Sequence, residues 1–144
     1  MEIQRRRFLV LGAQLTVTAG AASAATGCAP KATVQPTGGE LRLNLADYPE
    51  VANPGTTMHL DVQGHKDPLM LVHHPDGRYL VVSRKCTHMG CKLSFTDVSK
   101  TLDCPCHGSR FELSGEVVNG PASEPLRSYA VAIEAETLVV TLGA

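Results

Sequence analysis

The chain has 144 residues, enough for one domain, and only 4% of them are aromatic with no Trp, so a core must be built from Val, Leu, Ile and Ala. The formal net charge is −1. Three of the thirteen basic residues are Arg5, Arg6 and Arg7, and the remainder carries ten basic against thirteen acidic side chains, so no basic patch exists to serve a nucleic acid.

At the N-terminus, residues 5–12 read RRRFLVLG, an arginine cluster ahead of Phe8 and Leu9. Residues 8–27 then run without a charge. A core helix would need a polar second face, which this run lacks, whereas its length suits a membrane span. Arg5-Arg6-x-Phe8-Leu9 resembles a twin-arginine signal, an export route for already folded proteins, which suits a cofactor inserted before export. Residues 24–28, AATGC, resemble a lipoprotein cleavage site with Cys28 as the lipidated residue, although Ala25 stands where Leu is usual. A free thiol on an uncleaved anchor, or cleavage elsewhere after an Ala, are the alternatives. Residues 1–28 are therefore expected to be a signal or anchor helix. They would hold the protein at the outer, periplasmic face of a bacterial cytoplasmic membrane. Residues 29–39, APKATVQPTGG, are rich in Pro, Gly and Thr and are expected to be a flexible linker.

From residue 40 the pattern is strands and turns. ELRLNL (40–45) alternates with period two, and TTMHLDV (56–62), PLMLVHH (68–74) and RYLVVS (78–83) are short β-prone runs. HPDGR (74–78) joins the last two as a hairpin, with Gly77 free to take positive φ. YAVAIEA (129–135) and TLVVTL (137–142) form a second hairpin. No stretch after residue 40 combines helical period with a cap. Residues 40–144 are thus expected to form one all-β domain, an antiparallel sandwich or barrel.

Two stretches fall between strands and are expected to be loops: CTHMGC (86–91) and CPCHGS (104–109). Each contains two cysteines and one histidine. Two disulfides would use all four cysteines and leave His88 and His107 unexplained. A zinc site of two Cys and two His would leave two cysteines spare. A haem attachment fails, because CPCH is C-x-C-H and not C-x-x-C-H. A two-iron, two-sulfide cluster held by two Cys on one iron and two His on the other accommodates the composition. The remaining histidines have no cysteine nearby: His73 and His74 are expected at the surface or in the hairpin, and His59 and His65 are read as ordinary.

The two loops resemble those of the Rieske iron–sulfur family almost letter for letter, and GPASEPL (120–126) resembles that family's proline loop. The resemblance is close over about residues 80–130. It implies one [2Fe-2S] cluster per chain, with Cys86 and Cys104 on the inner iron and His88 and His107 on the outer one. It also implies a Cys91–Cys106 disulfide holding the loops together, consistent with an oxidising compartment. Neutral imidazoles in place of two thiolates lower the negative charge of such a cluster, which raises its potential. Each imidazole can also keep a second nitrogen toward solvent.

Around the ligands, Gly90 and Gly108 are expected to let the backbone approach the sulfurs and donate N–H groups. Ser109 matches a family serine whose hydroxyl donates to a cluster sulfide. Two positions on, high-potential members carry a tyrosine that donates to a ligand cysteine; here Phe111 removes that bond. Met89 is expected to shield the exposed tip and Pro121 to cover the other side. The resemblance implies electron transfer. The best-fitting setting is the iron–sulfur subunit of a quinol-oxidising cytochrome bc complex, with quinol, cytochrome b and a c-type cytochrome as partners. The disulfide cysteines and GPA favour it over ring-dioxygenase ferredoxins. The alternatives are the small subunit of a periplasmic molybdenum oxidase of the arsenite-oxidase kind, partnered by its large subunit, and a free-standing lipoprotein carrier.

Overall fold

A computed structural model describes residues 30–143. The expected signal or anchor, with Cys28, lies outside them. Among the described residues no helix is long and apolar enough to cross a membrane.

The main sheet has seven strands: β1 (Lys31–Val34), β2 (Glu40–Asn44), β3 (Thr56–Val62), β4 (Leu69–His73), β5 (Tyr79–Ser83), β10 (Ser128–Glu134) and β11 (Thr137–Thr141), in the order β1-β3-β4-β5-β10-β11-β2. All seven contribute to one buried cluster, from Ala32 through Leu41, Leu60, Leu71, Val81 and Tyr129 to Leu138, so the sheet curls around a single core. A smaller antiparallel sheet holds four three-residue strands, β6 (Ser94–Thr96), β7 (Thr101–Asp103), β8 (Arg110–Glu112) and β9 (Val117–Asn119). Two 3-10 turns, Leu45–Asp47 and Pro49–Val51, lead from β2 toward β3.

β4 explains how the two sheets become one body. Every residue in it is buried. Leu69 and Leu71 point into the main core, while Met70 and Val72 point into a second core with Leu93, Leu102, Phe111, Cys86 and Cys104. Successive strand residues face opposite sides, so a strand covered on both must be apolar throughout. Each of these four side chains is fully buried, contributing about 1.5–3 kcal/mol by transfer from water.

Both expected hairpins form. His73 pairs with Tyr79 across the turn at Gly77, whose φ is +89°, and Glu134 pairs with Thr137 in the second. One expectation is corrected. Residues 29–39 are not simply a linker: Lys31–Val34 pair in parallel with His59–Val62, the exception in an otherwise antiparallel architecture. The reason is local alternation. Ala32 is buried in the core and Val34 packs against it, while Lys31 faces out and bridges Asp61 at 2.5 Å. Pro36, Gly38 and Gly39 lie in the turn into β2, and the Gly39 carbonyl accepts the Leu142 N–H at 3.0 Å. His73 lies in the hairpin, as expected, with its side chain turned inward. It is 7% exposed, its Nδ1 lies 2.8 Å from the Val51 carbonyl, and its ring stacks on Tyr79 at 4.2 Å.

Candidate metal centre

Two loops leave the same end of the fold, one after β5 and one between β7 and β8. Their backbones close in the same way. In the first, the Cys86 N–H donates to the Cys91 carbonyl at 2.8 Å and the Gly90 N–H to the Cys86 carbonyl at 2.8 Å. In the second, the Cys104 N–H donates to the Ser109 carbonyl at 2.8 Å and the Gly108 N–H to the Cys104 carbonyl at 3.1 Å. Both glycines sit at φ near +80°, a region that strains residues with a Cβ. Their N–H groups close the turns, and the positive φ is what calls for glycine at both positions.

The turns bring the cysteines and histidines of the two motifs together. Cys86 and Cys104 are free thiols, 3% and 4% exposed, in the second core. Cys91 and Cys106 are joined by a disulfide with Cα atoms 6.5 Å apart. The expected staple is therefore present. The Cys104 sulfur lies within 4.8 Å of both disulfide sulfurs, but these are spent in a covalent bond and offer no thiolate, so that trio is no metal site. The rings of His88 and His107 are exposed and meet edge to face, centroids 4.9 Å apart.

Burial alone would raise the Cys86 thiol, but the N–H groups of His88 and Met89 and the side chains of Cys104 and Ser109 bond to its sulfur and hold it below the ordinary thiol value. Donors of this kind favour a thiolate. Two of them are backbone N–H groups, of His88 and Met89 in the same turn, a contribution that no residue type in the motif announces.

A third segment, residues 120–126, is fastened to both loops. The Ala122 N–H donates to the Ser109 Oγ at 3.0 Å, and Ser109 is fully buried. Because the oxygen accepts there, the serine proton is directed elsewhere, toward the thiol side. Thr87 Oγ1 donates to the Glu124 carbonyl at 2.7 Å, and Asn119 Nδ2 donates to the Gly108 carbonyl at 3.3 Å. Thr87 and Asn119 were not singled out from sequence; their signal was a polar side chain inside one motif and immediately before another. Met89 is 69% exposed at the tip of its loop, and Pro121, after a cis peptide, is exposed at the flank. Phe111 is fully buried in the core that contains both thiols.

Two buried thiols, one of them polarised toward the thiolate, and two adjacent exposed imidazoles form a donor set of two soft anionic and two neutral ligands. That set fits a two-iron cluster with unlike irons.

The Rieske [2Fe-2S] domain family matches residues 43–130. A protein named cytochrome b6-f complex iron-sulfur subunit 3, from a Nostoc species, is 31% identical over 152 aligned positions, covering 96% of this chain and 85% of the relative. The cytochrome b6-f complex iron-sulfur subunit of Chlorobaculum thiosulfatiphilum is 34% identical over 79 residues, 55% of this chain; that match covers 43% of the relative, so the chain spans less than half its length. Among solved structures, the quaternary ammonium Rieske monooxygenase CntA shares the fold with a TM-score of 0.56 and 17% identity, over 66% of this chain and 30% of that one.

Proposed function

Since the chain belongs to the Rieske [2Fe-2S] family, we propose that it is a one-electron carrier whose cluster is held by Cys86 and Cys104 on one iron and by His88 and His107 on the other. The observation that carries this reading is the pairing of two buried, unoxidised thiols with two exposed imidazoles on loops already locked by a separate disulfide. Every cysteine of the two motifs then has one role, which a zinc site would not achieve.

The cluster supplies reversible one-electron chemistry when bound. The chain's own residues set its surroundings. The His88 and Met89 N–H groups stabilise negative charge on Cys86. Ser109 Oγ is held by the Ala122 N–H so that its proton is free for a sulfur acceptor. Phe111 brings no hydroxyl, which favours a potential below that of members with tyrosine there. The burial of both thiols beside the exposure of both histidines supports a path in which electrons enter and leave through the imidazole edge.

The working context is the iron–sulfur subunit of a quinol-oxidising cytochrome bc-type complex, a reading supported by the Nostoc and Chlorobaculum relatives, which are named as cytochrome b6-f complex iron-sulfur subunits. Its location is the outer face of the cytoplasmic membrane, after twin-arginine export, with residues 1–28 or a lipid on Cys28 as the anchor. Residues 40–144, together with the β1 segment, act as the cluster domain. Iron and acid-labile sulfide should each measure two per chain, and a potentiometric titration followed by electron paramagnetic resonance should show a one-electron transition. Affinity purification from native membranes should bring a b-type cytochrome with it. One zinc and no iron would defeat the cluster, and recovery of a molybdenum subunit instead would replace the bc-type setting.

A further inference from the structure

Charge is sorted along this molecule. Most described cations have a carboxylate partner: Lys31 with Asp61, Arg42 with Glu134, Arg78 with Asp76, Lys85 with Asp67, Lys100 with Asp97 and Arg110 with Asp103. Among the described residues the exposed cations left without one are Lys66, Lys92 and Arg127. All three stand beside the first cluster loop. Lys92 ends that loop, Lys66 lies in the turn between β3 and β4, and Arg127 precedes β10, where Ser128 pairs with Val82 at the loop's root. The carboxylates without a cationic partner mostly stand at the other end. Asp47 and Glu50 are in the 3-10 turns whose Val51 carbonyl meets His73, and Glu136 is in the turn of the last hairpin. Among the described residues Glu112, beside His74 and Pro75, and Glu116, in the turn after β8, are unpaired as well, and Glu124 is the one near the loops.

The cations also line concave surface. A groove of about 350 Å³ runs past Cys86, His88, Met89 and Arg127. A second, of about 320 Å³, holds His65, Lys66 and Lys92, and the two share Asp67. Between them the Arg127 guanidinium lies 5.0 Å over the Tyr129 ring, whose hydroxyl is 3.2 Å from His65 Nε2. Asp67 is engaged by Lys85 at 4.0 Å, and Asp61, which also lines the second groove, is engaged by Lys31, so neither cancels the three free cations.

We propose that this face, from Lys66 through Lys92 to Arg127, docks an electron-transfer protein with an acidic surface, bringing it against His88. The inference rests on the cluster reading above and names the partner chemistry for that site. The chain from residue 29 onward is net negative, so a partner steered by net charge alone would be basic. The local field at the electron exit has the opposite sign, and within about one Debye length of contact the local field decides.

The test uses reduced, cluster-loaded full-length protein and oxidants of opposite charge in stopped flow. In each reaction the cluster loses one electron and the oxidant gains it. Ferricyanide should react faster at low salt, and its rate should fall roughly tenfold as the Debye length shrinks from about 30 to about 3 Å. The Lys66→Glu/Lys92→Glu/Arg127→Glu variant should lose that dependence and react faster than wild type with tris(phenanthroline)cobalt(III). Poly-L-glutamate should slow the wild-type reaction with ferricyanide, and poly-L-lysine should not. Iron content separates the possible failures: protein without iron refutes the cluster reading itself. If the triple variant loses iron, Lys66→Glu and Lys92→Glu alone, both exposed, must each weaken the salt dependence. Iron-loaded variants with wild-type rates and salt response overturn the docking face.

Discussion

Removing the staple tests the division of labour among the four cysteines. In the variant Cys91→Ala/Cys106→Ala the cluster ligands proposed here are untouched, so two irons per chain should remain. Stability should fall. The disulfide joins residues 15 apart in sequence, and closing a loop of that size removes denatured-state entropy equivalent to about 3 kcal/mol at 25 °C. For a domain of this length the unfolding entropy is about 0.24 kcal/mol per kelvin, from roughly 2.1 cal/mol/K per residue. The expected drop in Tm is therefore about 12 °C, read by circular dichroism on the iron-loaded protein. The cluster should also bleach sooner on warming, because the first loop would then be held to its neighbours by Thr87 and by the cluster itself. Two results would refute the reasoning. Loss of all iron from a folded variant would mean that staple and ligands have been exchanged. A Tm within about 2 °C of wild type would mean that the Thr87, Asn119 and Ser109 bonds already restrain the loops.

Other expectations follow from single residues. His88→Ala should leave a folded protein without the cluster by iron analysis, since its loop contains no second histidine; retention of two irons would sink the ligand assignment. Ser109→Ala should lower the reduction potential and Phe111→Tyr should raise it, each on the order of tens of millivolts from the redox-dependent part of one hydrogen bond. An unchanged potential with a lower Tm in Phe111→Tyr would place the new hydroxyl unpaired in the core, where it costs about 1–3 kcal/mol. His59 gives a pH dependence. Burial holds it below the ordinary histidine value, with Arg84 and Lys31 adding to the effect against Asp61, and its Nε2 is buried without a hydrogen-bond partner. The unfolded chain therefore takes the proton more readily, and stability falls as pH drops below about 6.5 toward the lowered native value. His59→Gln should lose less Tm than wild type between pH 7.5 and 5.5; equal losses would count against this origin.

The chemistry of the site was more legible than its framework. Cys86, His88, Cys104 and His107 announce themselves because spacing within a six-residue turn is a local property. The strands β3, β4, β5, β10 and β11 were also readable, being five to seven residues long with unambiguous apolar content. The four strands of the small sheet were not, because three residues cannot display a period of two. β1 was hidden by composition: Pro and Thr beside Gly suggest a linker, and only the free edge of β3 lets Ala32 become buried with Val34 packed half-buried beside it. The positive φ of Gly90 and Gly108 was not legible for a related reason. A sequence shows that a glycine is needed but not whether it is needed for room or for its dihedral.

The pairing of β1 sets the length of the leash. Pro30 is already fixed, its carbonyl accepting the His59 N–H at 2.8 Å. A lipid on Cys28 would then be separated from the fixed Pro30 by Ala29 alone, and the two Cα steps between them span at most about 7 Å. A domain so closely moored could pivot at the bilayer surface but could not roam above it. Its electron partners would have to arrive by diffusing in or along the membrane, and how far the domain reaches would depend on whether four residues of edge strand stay paired.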